Sequence, residues 1–249
     1  MAEPTIQVFD SRGEAYHRAF QVFLDHTDQK VKAKAWLDRL VGSLPARRVL
    51  IDAGAGNGQV TAWYTPAFEK TIAIEPNASL REELQKVCPQ ADVQGTGILD
   101  GRPSALGDLV LCSHVFYYID LGQWLAHLEK LASWLAEKGT LVVVLQNHET
   151  DCMRMLDHFL HRRFDLAKLA DEFRAAHGQR YDVRRETVAA WITTQDFAPA
   201  ITIAEFMLNL VPIEQAPARK PVEEYVRQHF ADAKGGFRFS CHQDMLVVR

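Results

Sequence analysis

Cysteine is scarce in this chain. Cys88, Cys112, Cys152 and Cys241 are scattered over 249 residues without one C-x-x-C pair. That excludes a cysteine-ligated zinc module, a redox dithiol and a disulfide-stapled scaffold, and reads as reduced thiols in a cytoplasmic protein. Positive charge is short as well. With 28 Lys and Arg against 32 Asp and Glu, the net charge is −4, so the basic face of a dedicated nucleic-acid binder is not to be expected. No apolar run reaches the roughly 18 residues that span a bilayer. The opening Met1-Ala2-Glu3-Pro4-Thr5 has neither the basic nor the apolar part of a secretion signal. Repeats and low-complexity tracts are missing too. A small molecule is therefore the expected partner, with neither nucleic acid nor membrane, for a monomer or homodimer.

What is present is a 47% hydrophobic chain whose pattern alternates between strand and helix. Residues 13–27 and 29–44 carry helical periodicity, with Tyr16, Phe20, Phe23 and Leu24 on one face of the first. Asp28 stands between them, placed to cap the second. Short apolar strands are expected at 48–52, 71–75, 92–96, 108–112 and 140–145, separated by helices at about 57–68, 77–87 and 121–137, with Gly139 closing the last. That order predicts a doubly wound, mostly parallel α/β sheet. Beyond residue 150 the pattern becomes helical, at about 151–162, 165–176, 198–210 and 221–231. A strand is expected over Tyr181–Thr193 and apolar strands at 237–239 and 245–248. We expect one domain over 1–249, with a helical cap at 1–45, a core at 46–150 and a substrate-side insertion plus terminal strands at 151–249.

The most informative stretch is Val49-Leu50-Ile51-Asp52-Ala53-Gly54-Ala55-Gly56-Asn57-Gly58. A buried strand ends in an acid, and three alternate glycines precede a helix. Glycines at 54 and 56 allow a sharp turn and close approach of a ligand. The third glycine, Gly58, comes one residue too early for the G-x-G-x-x-G dinucleotide fingerprint. The order resembles motif I of the class I methyltransferases that use S-adenosylmethionine. Glu75 lies 23 residues after Asp52, at the end of Thr71-Ile72-Ala73-Ile74. In a βαβ unit that spacing puts a carboxylate where ribose hydroxyls can be held. Under this reading Asp52, Gly54, Gly56, Gly58, Glu75, Pro76 and Asn77 bind the cofactor, with Thr96 or Gly97 meeting its adenine.

After the fourth strand comes Ser113-His114-Val115-Phe116-Tyr117-Tyr118. This lacks the proline-rich motif of nucleic-acid amine methyltransferases and the magnesium carboxylates of catechol-type enzymes, so no metal is expected. The chain resembles the histamine N-methyltransferase-like small-molecule methyltransferases. The likeness rests on Phe23-Leu24-Asp25-His26-Thr27-Asp28, Glu75-Pro76-Asn77-Ala78, Tyr117-Tyr118-Ile119 and Phe239-Ser240-Cys241-His242. It implies a seven-stranded Rossmann-like sheet whose last two strands form a terminal hairpin at the sheet edge. It also implies that Asp28 holds an amine substrate, His114 lies between cofactor and substrate, Tyr118 lines the pocket and Cys241 touches the substrate. His114 in place of the family's glutamine, and Cys241 in place of its asparagine, point away from histamine towards a related small molecule. His114 and Asp28 are thus the candidate catalytic residues; Asp28, Tyr117, Tyr118, Trp191, Cys241 and His242 are the substrate candidates. Phe197 and Phe206 either roof the pocket or pack it. His158 and His161, spaced on one helical face beside Asp157, are either a metal pair or a solvated face, and His148-Glu149 stays open. N-methylation of an amine or imidazole leads. O- or C-methylation of a small aromatic, with His114 or His242 as base, comes second. A nicotinamide-dependent oxidoreductase and a silent binding module are further alternatives.

Overall fold

The computed structural model describes residues 3–10 and 13–249, so part of the opening segment read above lies outside the described residues. In chain order the elements are α1 (Glu14–His26), α2 (Gln29–Ser43), β1 (Val49–Ala53), α3 (Gln59–Tyr64), β2 (Lys70–Ile74), α4 (Ala78–Val87), β3 (Asp92–Gln94), β4 (Gly107–Ser113), α5 (Trp124–Ala132), β5 (Leu135–Gln146), α6 (Asp151–Leu160), α7 (Leu166–His177), β6 (Val183–Val188), β7 (Trp191–Thr194), α8 (Phe197–Leu208), α9 (Arg219–His229), β8 (Phe237–Ser240) and β9 (Gln243–Val248). They divide into two compact units. A sheet unit holds Leu37–Leu145, Leu166–Glu186 and Asp244–Arg249; a helical unit holds the chain up to Trp36, Gln146–Asp165 and Thr187–Gln243. Among the described residues no helix is long and apolar enough to cross a membrane.

The seven-stranded sheet runs β3-β2-β1-β4-β5-β9-β6, with β1, β2, β3, β4 and β5 paired in parallel. Strands β1, β4 and β5 each carry a central run of Val, Ile and Leu. Leu50, Ile51, Leu109, Leu111, Leu141 and Val143 are fully buried, as parallel strands covered on both faces must be. β1 has β2 on one side and β4 on the other. The chain order reverses there, and in such sheets ligands bind beyond the carboxyl ends of the strands at that point. The expected Rossmann-like, mostly parallel sheet is therefore the observed one. Asp182 and Arg249 exchange backbone hydrogen bonds in both directions (2.8 and 3.0 Å), the pattern of an antiparallel pair, at the end of the sheet that holds β6.

Four local expectations are corrected. The helix expected over 121–137 is shorter, ending at Ala132, and Gly139 does not close it. Gly139 lies inside β5 beside an irregularity in the β4–β5 register. A Cβ there would come within 2.5 Å of the Gly107 carbonyl oxygen, so close backbone approach demands the glycine. The single strand expected over Tyr181–Thr193 is two, β6 in the large sheet and β7 in a separate pair. The terminal strands do not form one hairpin either. Only β9 joins the large sheet, while β8 pairs antiparallel with β7, Trp191 opposite Ser240 and Thr194 opposite Phe237. Finally, His158 and His161 do not share a helical face, because α6 ends at Leu160 and His161 turns left-handed (φ 53°).

In the helical unit α1 packs on α8, and α6 packs on α8 and β8. Tyr16, Phe20 and Phe23 set their rings 5.5–5.6 Å from that of Phe206. Aromatic groups at such separations favour each other beyond the area they bury. Phe206 is buried and packs the helical unit.

Candidate functional site

The glycine loop follows from how β1 ends. Gly54 and Ala55 both donate their N–H to the Ile74 carbonyl (2.7 and 3.1 Å), which bends the chain back over the tip of β2. The bend needs φ of 76° at Gly54 and 56° at Gly56, the left-handed region that glycine enters without penalty. At Gly54 space is decisive too, since a Cβ would lie 2.3 Å from a methyl of Val115. At Gly56 no heavy atom lies within 4 Å of the Cβ position, so that face of the loop is open. Gly58 (φ 85°) faces α4 instead: its Cβ would meet Leu84 at 2.6 Å. Its glycine serves the packing of α3 against α4.

Two carboxylates frame the loop. Asp52 is 2% exposed and accepts a hydrogen bond from the Thr61 hydroxyl at 2.6 Å. Burial pushes its pKa up to about 6; the Thr61 bond opposes the shift and the nearby Glu75 adds to it. Glu75 sits one residue past β2. One oxygen accepts from Gly56 N–H (2.9 Å) and the other from Asn77 N–H (2.8 Å). Both oxygens are thereby fixed in direction, and each keeps a lone pair for a further donor. Asn77 in turn caps α4, accepting from the N–H groups of Ser79 and Leu80, while Pro76 links the two. Past β3, the Thr96 hydroxyl oxygen is buried without a hydrogen-bond partner, and beside it the Cβ position of Gly97 is open.

At the end of β4, His114 donates its N–H to the Val144 carbonyl (2.9 Å) and takes φ 59°, an uncommon conformation for a residue with a side chain. Its ring stacks on Tyr117, centroids 5.9 Å apart and planes 18° from parallel. Phe116–Tyr118 forms one 3₁₀ turn that buries Tyr117 and leaves Tyr118 67% exposed. Ile119 is held behind it by the Trp124 indole N–H (3.0 Å).

The remaining candidates gather in the helical unit. Asp28 accepts from the Trp191 N–H (2.8 Å), and the Asp28 N–H donates to the Trp191 carbonyl (3.3 Å). The Thr27 hydroxyl lies 3.4 Å from the Cys241 sulfur, and the Gln29 amide donates to the Cys241 carbonyl (2.8 Å). Cys241 is fully buried, and burial pushes its thiol up to about 12. His242 uses Nδ1 on the backbone of Ala190 (2.8–3.1 Å) and meets the Trp191 ring edge-on at 5.1 Å. One face of Trp191 is occupied by the Arg238 guanidinium, 3.6 Å from the ring centroid. Phe197 lies under Arg227 in the same manner. His148 lies 2.8 Å from Glu149 and 3.5 Å from Asp165, and Glu149 also pairs with Arg154 and Arg163. The His158 ring packs on Tyr225. Among the described residues no three His, Cys, Asp or Glu side chains could together hold a metal ion.

Thus the cofactor candidates and His114, Tyr117 and Tyr118 lie in the sheet unit, whereas Asp28, Trp191, Cys241 and His242 lie together in the helical unit. Sequence reasoning missed Thr61, Val115 and Arg238. Thr61 alone left a signal, a hydroxyl in the first turns of the helix after the loop.

A methyltransferase domain family model matches residues 24–198, and no curated protein matches the sequence. The fold is similar to YcgJ of Bacillus subtilis (13% identity over 85% of this chain and 96% of that one, TM-score 0.61). It is similar also to the N-methyltransferase NodS of Bradyrhizobium japonicum WM9 in complex with S-adenosyl-L-homocysteine (15%, 95% and 98%, TM-score 0.56). A third likeness is to DhpI in a SAM–HEP complex (17%, 70% and 89%, TM-score 0.51). The chain belongs to the methyltransferase domain family. It is a class I methyltransferase, the enzyme class that draws its methyl group from S-adenosylmethionine.

Proposed function

We propose that this enzyme methylates a nitrogen of a small amine or imidazole without a metal, using the sheet unit to hold S-adenosylmethionine. One observation carries the cofactor part. The Glu75 carboxylate is aimed by Gly56 and Asn77 N–H groups at the tip of β2, beside a left-handed glycine loop. The residues fit an adenosyl group. Glu75 has two free lone pairs for a vicinal diol, and the buried Thr96 hydroxyl lacks the partner that a buried polar group ordinarily has. Glu75 would hold the ribose, Thr96 and Gly97 the base, Pro76 and Asn77 its flank, and Gly54 and Gly56 the amino-acid part. Asp52 would orient the amino group. When bound, the sulfonium supplies a methyl group already activated for in-line displacement.

The chain then needs chiefly to align donor and acceptor, which can contribute on the order of 7–11 kcal/mol. A neutral imidazole, with a pKa near 6.5, already presents a lone pair. His114, held in a strained conformation at the end of β4, is the group assigned to the acceptor. Tyr117 fixes its ring plane, and exposed Tyr118 supplies an aromatic surface. Within the helical unit, Asp28, Trp191, Cys241 and His242 form a group of their own, the candidate substrate residues of that unit. The description of NodS as an N-methyltransferase and the histamine N-methyltransferase-like motifs support nitrogen as the accepting atom.

A second reading, O-methylation of a small phenol, is favoured by the same His114 placement, with the imidazole as base. Labelled methyl transfer from S-adenosylmethionine to imidazoles, amines and phenols separates the two. Product on an imidazole that survives His114→Gln supports the first reading. Product only on a phenol, lost in His114→Gln, replaces it with the second. Calorimetry with S-adenosylhomocysteine tests the cofactor part: Glu75→Ala is expected to weaken binding roughly 100-fold, since two charge-assisted bonds are lost. Unchanged affinity would defeat that assignment.

A further inference from the structure

We propose that Arg81, which is outside every assignment above, is a positioning residue that clamps the ribose side of the cofactor site to its base side. The inference rests on the reading of Glu75 and Thr96 just given. Arg81 lies in α4, and its Nη1 donates to two successive carbonyls at the tip of β2, Glu75 at 3.0 Å and Pro76 at 2.7 Å. Both carbonyls lie beyond the last β2–β3 register pair, Ile74 opposite Gln94, where no further strand residue can satisfy them. A guanidinium meets them with a charge-assisted bond, stronger than a neutral one.

The same guanidinium occupies the space next to β3. At Gly95 a Cβ would stand 3.0 Å from Arg81 Cζ, 3.2 Å from Nε and 3.3 Å from Nη1. A side chain at 95 would crowd the guanidinium and push it aside, and φ imposes no need for glycine at this position. On the other side the Glu75 N–H donates to the Gln94 carbonyl at 3.0 Å. The tips of β2 and β3 are thus joined through the backbone, and the Arg81 guanidinium, bonded to the β2 tip, lies against Gly95 at the end of β3. Glu75 and Thr96 immediately flank this fastening, so the distance between the group that reads a ribose and the group that reads a base is set by Arg81 and Gly95 acting as a pair. An adenosine moiety has a fixed span between these two parts, which makes that distance a determinant of affinity.

The test is calorimetric binding of S-adenosylhomocysteine and of 5′-methylthioadenosine, which share the adenosine part. Arg81→Met is expected to weaken both by about tenfold, equal to about 1.4 kcal/mol, and by the same factor for each. Arg81→Lys, which keeps a donor, is expected to recover part of the loss. Gly95→Val, which displaces the guanidinium, is expected to mimic Arg81→Met, and the double variant to bind no more weakly than Arg81→Met alone. Affinities within twofold of wild type, losses that multiply in the double variant, or a loss confined to S-adenosylhomocysteine would each overturn the inference. Should Arg81→Met not fold, Arg81→Lys and Gly95→Val decide the matter on the same criteria. If the wild-type chain bound neither compound, the cofactor reading itself would fall, an outcome distinct from unaltered variants.

Discussion

The two units use their polar groups differently. In the sheet unit the polar groups beyond the strand ends keep bonding capacity in reserve. Glu75 has unused lone pairs, Thr96 is buried without a partner, and the backbone of Gly54, Gly56 and His114 is held left-handed. In the helical unit the corresponding side chains are engaged with the backbone: Asp28 with Trp191, Gln29 with Cys241, His242 with Ala190. Strain and unused bonding are what a site for a fixed ligand requires. Side chains that already hold their own loops can change with the acceptor only if the loops change with them. The comparison teaches that, on the proposed assignments, the sheet unit keeps polar groups ready for one ligand, while the candidate residues of the helical unit also hold its own loops.

The largest effect is expected where strain and crowding coincide. Gly54→Ala adds a left-handed penalty to a 2.3 Å clash with Val115 and should cost about 4 kcal/mol by denaturant unfolding. Adding Val115→Ala should return about half of that loss, by removing the crowding and leaving the conformational part. Failure of the second change to help would show that backbone strain alone sets the requirement.

Next comes the pH dependence of Asp52. Its pKa is raised from 3.8 to about 6 by burial, so the folded chain keeps a proton that the unfolded chain gives up. Stability of the ligand-free enzyme therefore falls as pH rises through that window, by about 3 kcal/mol. Asp52→Asn should remove this slope and raise stability at pH 7.5. Binding of S-adenosylhomocysteine by the wild type should in turn strengthen as pH rises through about 6, because an ammonium favours the ionised carboxylate. An affinity that is flat with pH would remove Asp52 from the amino-group assignment.

In the helical unit, Asp28→Ala strips the Trp191 N–H of its acceptor and should cost about 1–2 kcal/mol. Asp28→Asn keeps a carbonyl acceptor and should cost less. Neither should alter affinity for S-adenosylhomocysteine. A methyl acceptor lost equally in both variants, despite their different stabilities, would separate Asp28's role at the site from its role in the fold. The smallest effect belongs to Tyr118→Ala. The residue is 67% exposed, so stability should change by less than about 0.5 kcal/mol, and only the KM for the acceptor should move. A large stability loss there would mean that the aromatic serves the fold instead.

The sheet and its glycine loop were legible in the sequence because both follow from local rules. Buried parallel strands are continuous apolar runs, a carboxylate at a strand end precedes left-handed glycines, and the acid of the next strand recurs one βαβ unit later. The failures lie where distant contacts override local pattern. Residues 133–137 read as helix with Gly139 closing it, yet Gly139 lies inside β5, close against the Gly107 backbone. The apolar residues Phe237 and Phe239 suited a sheet edge, but their partner is β7. Arg81 could not be found by pattern, since nothing in its own neighbourhood distinguishes it from a solvated helix residue. Its meaning depends on Gly95, which approaches it only once β2 and β3 have paired.

The place of β9 also governs how this chain comes into being. A ribosome releases β6 well before β9, with residues 189–242 between them, yet β9 is the strand that separates β5 from β6. Until β9 emerges, the buried apolar run Leu141–Leu145 of β5 has no neighbour on that side. During synthesis the nascent chain therefore exposes a hydrophobic sheet edge of the kind that chaperones recognise. A premature stop before Gln243 would make that exposure permanent, yielding a chain that aggregates even though every residue of its glycine loop is intact.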